Sequence, residues 1–212
     1  MQQPDQTLTK QTIRQHIQSL REQLPADVRA AHNAAIIERL LQMPEYRRAE
    51  TVLAYMNFGS EFASELWVTR VLADGKRLAL PRVNRHTNRL DLYWVNDPET
   101  QLEAGLWGIR EPAVERCKRL NAINEVEFAL LPGIAFSRNG ARLGYGGGFY
   151  DKLLAPQGAR SVLYRPALAV AAYSLQIVAQ LPQEATDVSV EWIVTETEKI
   201  DCSVRLHPGK PE

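Results

Sequence analysis

The chain has 212 residues, 45% hydrophobic and 24% charged, which suits one globular domain with a sizeable core. Its 25 basic and 25 acidic residues cancel, so no global field draws it to nucleic acid or to an anionic membrane surface, and any anion site has to be local. The start, MQQPDQTLTK, lacks the apolar run of a signal peptide and no apolar stretch approaches membrane-spanning length, so a cytoplasmic protein is expected.

Leu8, Ile13, Ile17, Leu20 and Leu24 recur at helical spacing and predict an amphipathic first helix ending near Pro25. Lys10 and Arg14 share one face of it, and on pattern alone such a pair reads as a solvated basic strip. A second helix is expected from about Ala26 to Met43, with Val28, Ala31, Ala35, Leu40 and Leu41 broadly on one side and Pro44 as its stop. Thr51 to Phe58 (TVLAYMNF) reads as a buried strand, followed by Gly59-Ser60-Glu61 and a helix from about Ala63 to Ala73, closed by Asp74-Gly75. In open α/β sheets ligands collect at loops leaving the carboxyl ends of strands, which makes Glu61 a candidate; a carboxylate serving the helix dipole is the other reading.

Arg77 to Val83 and Leu90 to Val95 read as strands joined by the turn Asn84 to Asn88, where Arg82, Arg85 and Arg89 suit a solvated connection better than an RNA contact. Asn96 to Arg119 is loop-rich, and Trp107 in LWGIREP reads as a packing residue. Phe128 to Phe136 (FALLPGIAF) reads as one strongly apolar strand with Pro132-Gly133 near its end. It leads through the turn Ser137 to Gly140 into RLGYGGGFYD, residues 142–151.

This decapeptide holds glycine at 144, 146, 147 and 148. Bare backbone there can take φ > 0, approach a ligand closely and turn its N–H groups toward an anion. The run Phe149 to Leu154 starts a helix whose N-terminus adds positive character, and Arg142 offers a bidentate phosphate contact. Asp151 beside polyphosphate calls for a cation between them, and Mg²⁺ held by one or two carboxylates plus phosphate oxygens is the usual arrangement. No Walker A triplet occurs, and Phe149 stands where G-x-G-x-x-G needs its third glycine. A tight turn without a ligand remains the alternative.

Further on, Ala167 to Ala172 reads as a strand, Leu175 to Ala179 as a short helix and Trp192 to Thr195 as the last strand. Asp187, in the connection from Leu181, reads alone as a turn or cap residue. Cys117 and Cys202 lack C-x-x-C spacing and the four histidines are scattered, so neither a disulfide framework nor a zinc cluster is indicated. HPGKPE reads as a loose tail.

With these residues assembled, the chain resembles the 5-formyltetrahydrofolate cyclo-ligase (methenyltetrahydrofolate synthetase) family from about Lys10 to Thr197. The most specific part is LLPGIAFSRNGARLGYGGGFYDKLL, residues 130–154. Lys10, Arg14, the Glu61 loop, LWGIREP and LQIVAQLPQEATDVSVEWIVTE support it. Ser137 departs from the aspartate common after the Ala-Phe pair, which affects only a turn contact.

The resemblance implies a single three-layer α/β/α domain with a mixed, mostly parallel sheet like that of the NagB/RpiA/CoA-transferase-like group, its core spanning about residues 8–198 with loose tails at both ends. It implies ATP- and Mg²⁺-dependent ring closure of 5-formyltetrahydrofolate through an N5 iminium phosphate; a monomer acting on small molecules, with no nucleic-acid or membrane partner, is the accompanying expectation. By the same resemblance Lys10, Arg14, Arg142, Leu143, Gly144, Tyr145, Gly146, Gly147, Gly148, Phe149 and Tyr150 bind ATP, with Lys10 and Arg142 catalytic. Met56, Glu61 and Tyr145 to Phe149 border the folate, and Asp151 and Asp187 handle Mg²⁺. The rivals are a sugar-phosphate isomerase-like enzyme and a non-catalytic folate- or nucleotide-binding protein.

Overall fold

The structure, a computed structural model, describes residues 9–155 and 165–203. Leu8, the first eight residues and the HPGKPE ending lie outside the described residues. Thr9 caps α1 (Lys10–Glu22) by accepting the Thr12 N–H at 3.2 Å, which satisfies one of the free amides of the first turn. α2 (Ala26–Gln42) ends as expected, but Pro44 does more than stop it. It opens a separate short helix, α3 (Pro44–Arg48), at the position where a missing N–H costs nothing.

β1 (Thr51–Leu53), α4 (Ser64–Ala73), β2 (Arg77–Asn84) and β3 (Arg89–Val95) follow, then α5 (Pro98–Gln101), β4 (Leu102–Ala104), β5 (Arg110–Pro112) and β6 (Lys118–Arg119). The chain continues through β7 (Phe128–Leu131), β8 (Ala135–Ser137), β9 (Arg142–Leu143), α6 (Phe149–Leu154), β10 (Ala167–Ala171), β11 (Ile177–Val178), β12 (Trp192–Val194) and β13 (Lys199–Asp201). Eight strands form one sheet in the order β13-β12-β10-β7-β1-β2-β3-β6. Its central five are mutually parallel, with β13, β3 and β6 antiparallel at the margins.

The central strands are apolar at nearly every position because both faces are covered. Val52, Leu78, Phe128, Leu130 and Ala169 face α2, α3 and α4, where Trp67 stacks on Tyr46 with ring centroids 4.6 Å apart. Leu53, Ala79, Ala129, Leu131 and Val170 point the other way, under Leu153 and Leu154 of α6 and the irregular segments around Leu120, Val126 and Val190. The expected mixed, mostly parallel α/β architecture is present, and among the described residues the second outer layer is mostly loop.

Several expected boundaries moved for identifiable reasons. The strand expected over Thr51 to Phe58 ends at Leu53, because beyond Ala54 the backbone finds partners off the ladder. The Ser64 hydroxyl donates to Tyr55 O at 2.6 Å, and Glu61 accepts the Phe58 N–H at 2.8 Å. FALLPGIAF is two strands in different sheets, split where Pro132 has no N–H to give. The helix expected over Leu175 to Ala179 is a single turn, Ser174–Gln176, followed by β11, which pairs with β8. β13 adds a strand after the one expected to be last. In α2 the buried stripe is Asn33, Ile36 and Leu40, leaving Ala31 exposed. Trp107 is not a packing residue: it is 65% exposed at φ 57°.

From β1 the sheet grows through β2 on one side and through β7, β10 and β12 on the other. The winding therefore reverses between β1 and β7, and the crevice beyond the carboxyl ends of two such strands is where open α/β sheets place ligands. No helix among the described residues is long and apolar enough to cross a membrane.

Candidate active site

Glu61 follows β1, and the glycine loop returns to the end of β7. The antiparallel pair β8–β9 carries the chain out and back, and Arg142 Nη1 donates to Pro132 O at 3.2 Å, fastening the start of the loop to the end of β7. Gly146 (φ 104°) and Gly148 (φ 62°) occupy the left-handed region that side chains avoid. No hydrogen bond leaves the backbone N–H groups of Tyr145, Gly146, Gly147 or Gly148 among the described residues, so four adjacent donors remain open to an anion. α6, which the loop starts, has only six residues. Its dipole adds less than the sequence suggested, and the loop amides carry the anion-binding potential.

Helix α1 supplies the cations. Lys10, Arg14 and Arg21 lie within about 40° of one another on a helix of 3.6 residues per turn. Beside them Ile13 and Ile17 pack against Ile134, Ala135 and Leu143 of the β8–β9 segment, which fixes the helix over the loop. Arg14 Nε donates to Gly144 O at 2.8 Å. Lys10 Nζ reaches Glu184 Oε1 at 2.9 Å and Asp187 Oδ2 at 3.0 Å. The hydrogen bond to Glu184 is the largest influence raising the lysine pKa above its ordinary value.

Arg21 went unnoticed in the sequence, although its place seven residues after Arg14 continues the same face. Its Nη2 donates to the Tyr145 hydroxyl at 3.2 Å, and that hydroxyl donates to Glu61 Oε1 at 2.6 Å. Burial pushes the Glu61 carboxyl above its ordinary pKa, partly offset by the Tyr145 hydroxyl, the Phe58 N–H and the Arg21 charge. Lys152 was also missed: its Nζ donates to Gly147 O at 3.1 Å and Asn88 O at 3.3 Å, tying the loop to the β2–β3 turn.

Arg142, expected to face phosphate directly, is turned inward. Its side chain is 3% exposed and Nη2 meets Asp151 Oδ1 at 2.7 Å. The same Oδ1 accepts the Val188 N–H at 3.1 Å, which brings the Asp187 segment alongside Asp151. Burial alone would raise the Asp187 carboxyl, but the Glu184 N–H, Lys10 and the Arg142 charge outweigh it and hold its pKa below the ordinary value.

Asp151 Oδ2 and Asp187 Oδ1 have no hydrogen-bond partner among the described residues. The Val188 N–H links the two segments, and two carboxylates with one free oxygen each are a donor set that suits a Mg²⁺ ion taking its remaining ligands from phosphate and water. The described residues hold no cluster of three or more His, Cys, Asp or Glu that would cage a metal without a ligand's help.

The fold thus gathers Lys10, Arg14, Glu61, Arg142, Tyr145, Asp151 and Asp187 around the β1–β7 crevice. Met56 is buried, 6% exposed, in the core cluster beneath it. Leu143 is buried against α1, Tyr150 is half-buried on the second sheet face, and Phe149 lies beside Gly147.

Residues 6–196 match the family model described as the 5-formyltetrahydrofolate cyclo-ligase family. Among curated relatives, the 5-formyltetrahydrofolate cyclo-ligase of Haemophilus influenzae is 29% identical over 182 residues, covering 86% of this chain and 95% of that one. The probable 5-formyltetrahydrofolate cyclo-ligase of Caenorhabditis elegans is 24% identical, covering 90% and 94%. Among solved structures, the 5,10-methenyltetrahydrofolate synthetase of Aquifex aeolicus superposes with a TM-score of 0.77 at 30% identity, covering 96% of this chain and 95% of that one.

Proposed function

The chain belongs to the 5-formyltetrahydrofolate cyclo-ligase family, and on that premise we propose that it closes 5-formyltetrahydrofolate to 5,10-methenyltetrahydrofolate, consuming ATP in the presence of Mg²⁺ and releasing ADP and phosphate. The formamide oxygen attacks the γ-phosphorus as the bond to the bridging oxygen of ADP breaks, giving an N5 iminium phosphate. N10 then attacks the former formyl carbon, gives up its proton, and the C–O bond to phosphate breaks to leave the imidazolinium ring. Phosphoryl transfer of this kind asks the protein mainly for in-line positioning and charge stabilisation.

The open amides of residues 145–148 cradle the phosphates, with Arg14 bracing the loop through Gly144. Lys10 exchanges its carboxylate partners for phosphate oxygens, and Arg142, through its pair with Asp151, keeps that carboxylate oriented. Asp151 and Asp187 would hold Mg²⁺, whose chemistry when bound is to neutralise polyphosphate charge. Glu61 orients the pterin through its ring N–H and amino groups, with Met56 and Tyr145 to Phe149 along the folate. We further propose that the chain acts as a single domain and a monomer, on small molecules alone.

The observation that carries this reading is the convergence of the open glycine-loop amides, the α1 cations and Glu61 on one crevice between β1 and β7. Incubating the purified protein with 5-formyltetrahydrofolate and MgATP should generate the near-ultraviolet absorbance of the methenyl product. Folded protein that leaves the substrate unchanged would remove the assignment.

A further inference from the structure

Arg21 has no role in the scheme above, yet its placement is costly. The residue is 3% exposed, and no carboxylate lies within ion-pair distance of it among the described residues. Nε donates to Ser60 Oγ at 3.1 Å, Nη2 donates to the Tyr145 hydroxyl at 3.2 Å, and Nη1 is buried without a partner. A buried guanidinium is tolerated when a negative charge lies close by, and here that charge is Glu61, reached through one hydroxyl. The order of the bridge is fixed by chemistry. Arginine can only donate and an ionised carboxylate can only accept, so the single Tyr145 proton must point to Glu61.

Tyr145 belongs to the glycine loop, and Ser60 and Glu61 belong to the loop after β1. Arg21 is therefore bonded to both loops at once, from a third element that also carries Lys10 and Arg14. We propose that Arg21 is a positioning residue that couples the two substrate sites, docking the glycine loop onto the Glu61 loop so that occupancy of either site strengthens binding at the other. This rests on the assignment of those loops to ATP and folate. Ordering one loop orders the bridge, and the second substrate then meets a partner already in place. By linkage the enhancement must be the same in both directions.

The test is calorimetric titration of 5-formyltetrahydrofolate with and without a non-hydrolysable ATP analogue and Mg²⁺, on wild type, Tyr145→Phe, Arg21→Lys and Arg21→Met. Wild type should bind folate on the order of fivefold or more tightly when the analogue is present. Tyr145→Phe and Arg21→Met should bring that ratio close to one, and Arg21→Lys, which keeps the charge but loses the fork, should restore part of it. A packing role for Arg21 would weaken both titrations equally and leave the ratio intact, overturning the proposal, as would a wild-type ratio of one. Tyr145 is 42% exposed, so its phenylalanine variant keeps the experiment decisive if the Arg21 variants do not fold.

If wild type binds neither ligand, the assigned function has failed, and amide hydrogen exchange on the free protein still tests the link. Tyr145→Phe should then speed exchange of the hydrogen-bonded Phe58 and Glu61 amides and raise the backbone mobility of 144–148 in NMR relaxation, and no change in either loop would overturn it.

Discussion

Asp187 accepts a hydrogen bond from Lys10 at 3.0 Å, pairing a carboxylate proposed for Mg²⁺ with a cation proposed for phosphate. Arg142 and Asp151 form a second ion pair at 2.7 Å, in which a buried guanidinium orients the other proposed metal carboxylate. Without ligand, the lysine that would serve the polyphosphate is held by a carboxylate that would serve its metal. The site is neutralised internally, and MgATP would exchange partners within an arrangement that is already built.

Asp151→Asn preserves an acceptor for Arg142 and Val188 but removes the charge. Losing one charge-assisted contact is worth about 1.5–3 kcal/mol, or roughly tenfold to a hundredfold. Turnover should fall by at least the lower figure and the Mg²⁺ requirement should rise; a Mg²⁺ titration that superimposes on wild type would take Asp151 out of the metal site.

Lys10→Gln should raise the KM for ATP by a comparable factor while leaving folate binding measured without nucleotide unchanged. Initial rates at varied ATP, combined with folate titrations, separate the two. A loss confined to folate would contradict the placement of Lys10 at the phosphates.

Glu61→Gln should raise the folate KM more than the ATP KM, because the amide cannot accept from two pterin donors as a carboxylate does. Equal increases in both would count against a pterin contact.

The buried Glu61 also predicts a pH dependence. Its folded-state pKa is raised, so the ionised, folate-binding form is lost as pH falls through that raised value, earlier than for an ordinary glutamate near about 4.3. Folate affinity should decline on acidification in wild type and not in Glu61→Gln. For stability the sign is opposite: folding favours the protonated carboxyl, so this group's contribution falls as pH rises from the ordinary value through the raised one. Urea midpoints across that window should slope downward in wild type relative to Glu61→Gln.

Trp67 is fully buried between Tyr46 and Phe128. Trp67→Ala should cost about 3–5 kcal/mol, read from the shift in urea midpoint. A loss below about 1 kcal/mol would mean that the helical face of the sheet collapses around the cavity.

Much of this was legible in the sequence because it depends on local chemistry. Four glycines in five residues announce backbone that can reach a ligand, and continuous apolar runs such as FALL and ALAV announce strands covered on both faces. The resemblance carried by residues 130–154 named the family whose model matches residues 6–196.

What local pattern could not show was which side chains spend their charge on one another. Lys10 and Asp187 are separated by 177 positions and Tyr145 and Glu61 by 84, and nothing in the periodicity of either partner marks the other. Arg21 was hidden because burial, not residue type, distinguishes it from the surface arginines, and Trp107 was misread because a left-handed turn in the chain holds it outward. The sequence by itself determined the parts: a phosphate-suited loop, two carboxylates, a cationic helix and a parallel sheet. Only the tertiary structure decided their pairing, because reversal of the winding between β1 and β7 and the packing of α1 on β8–β9 bring together charges that the chain keeps far apart.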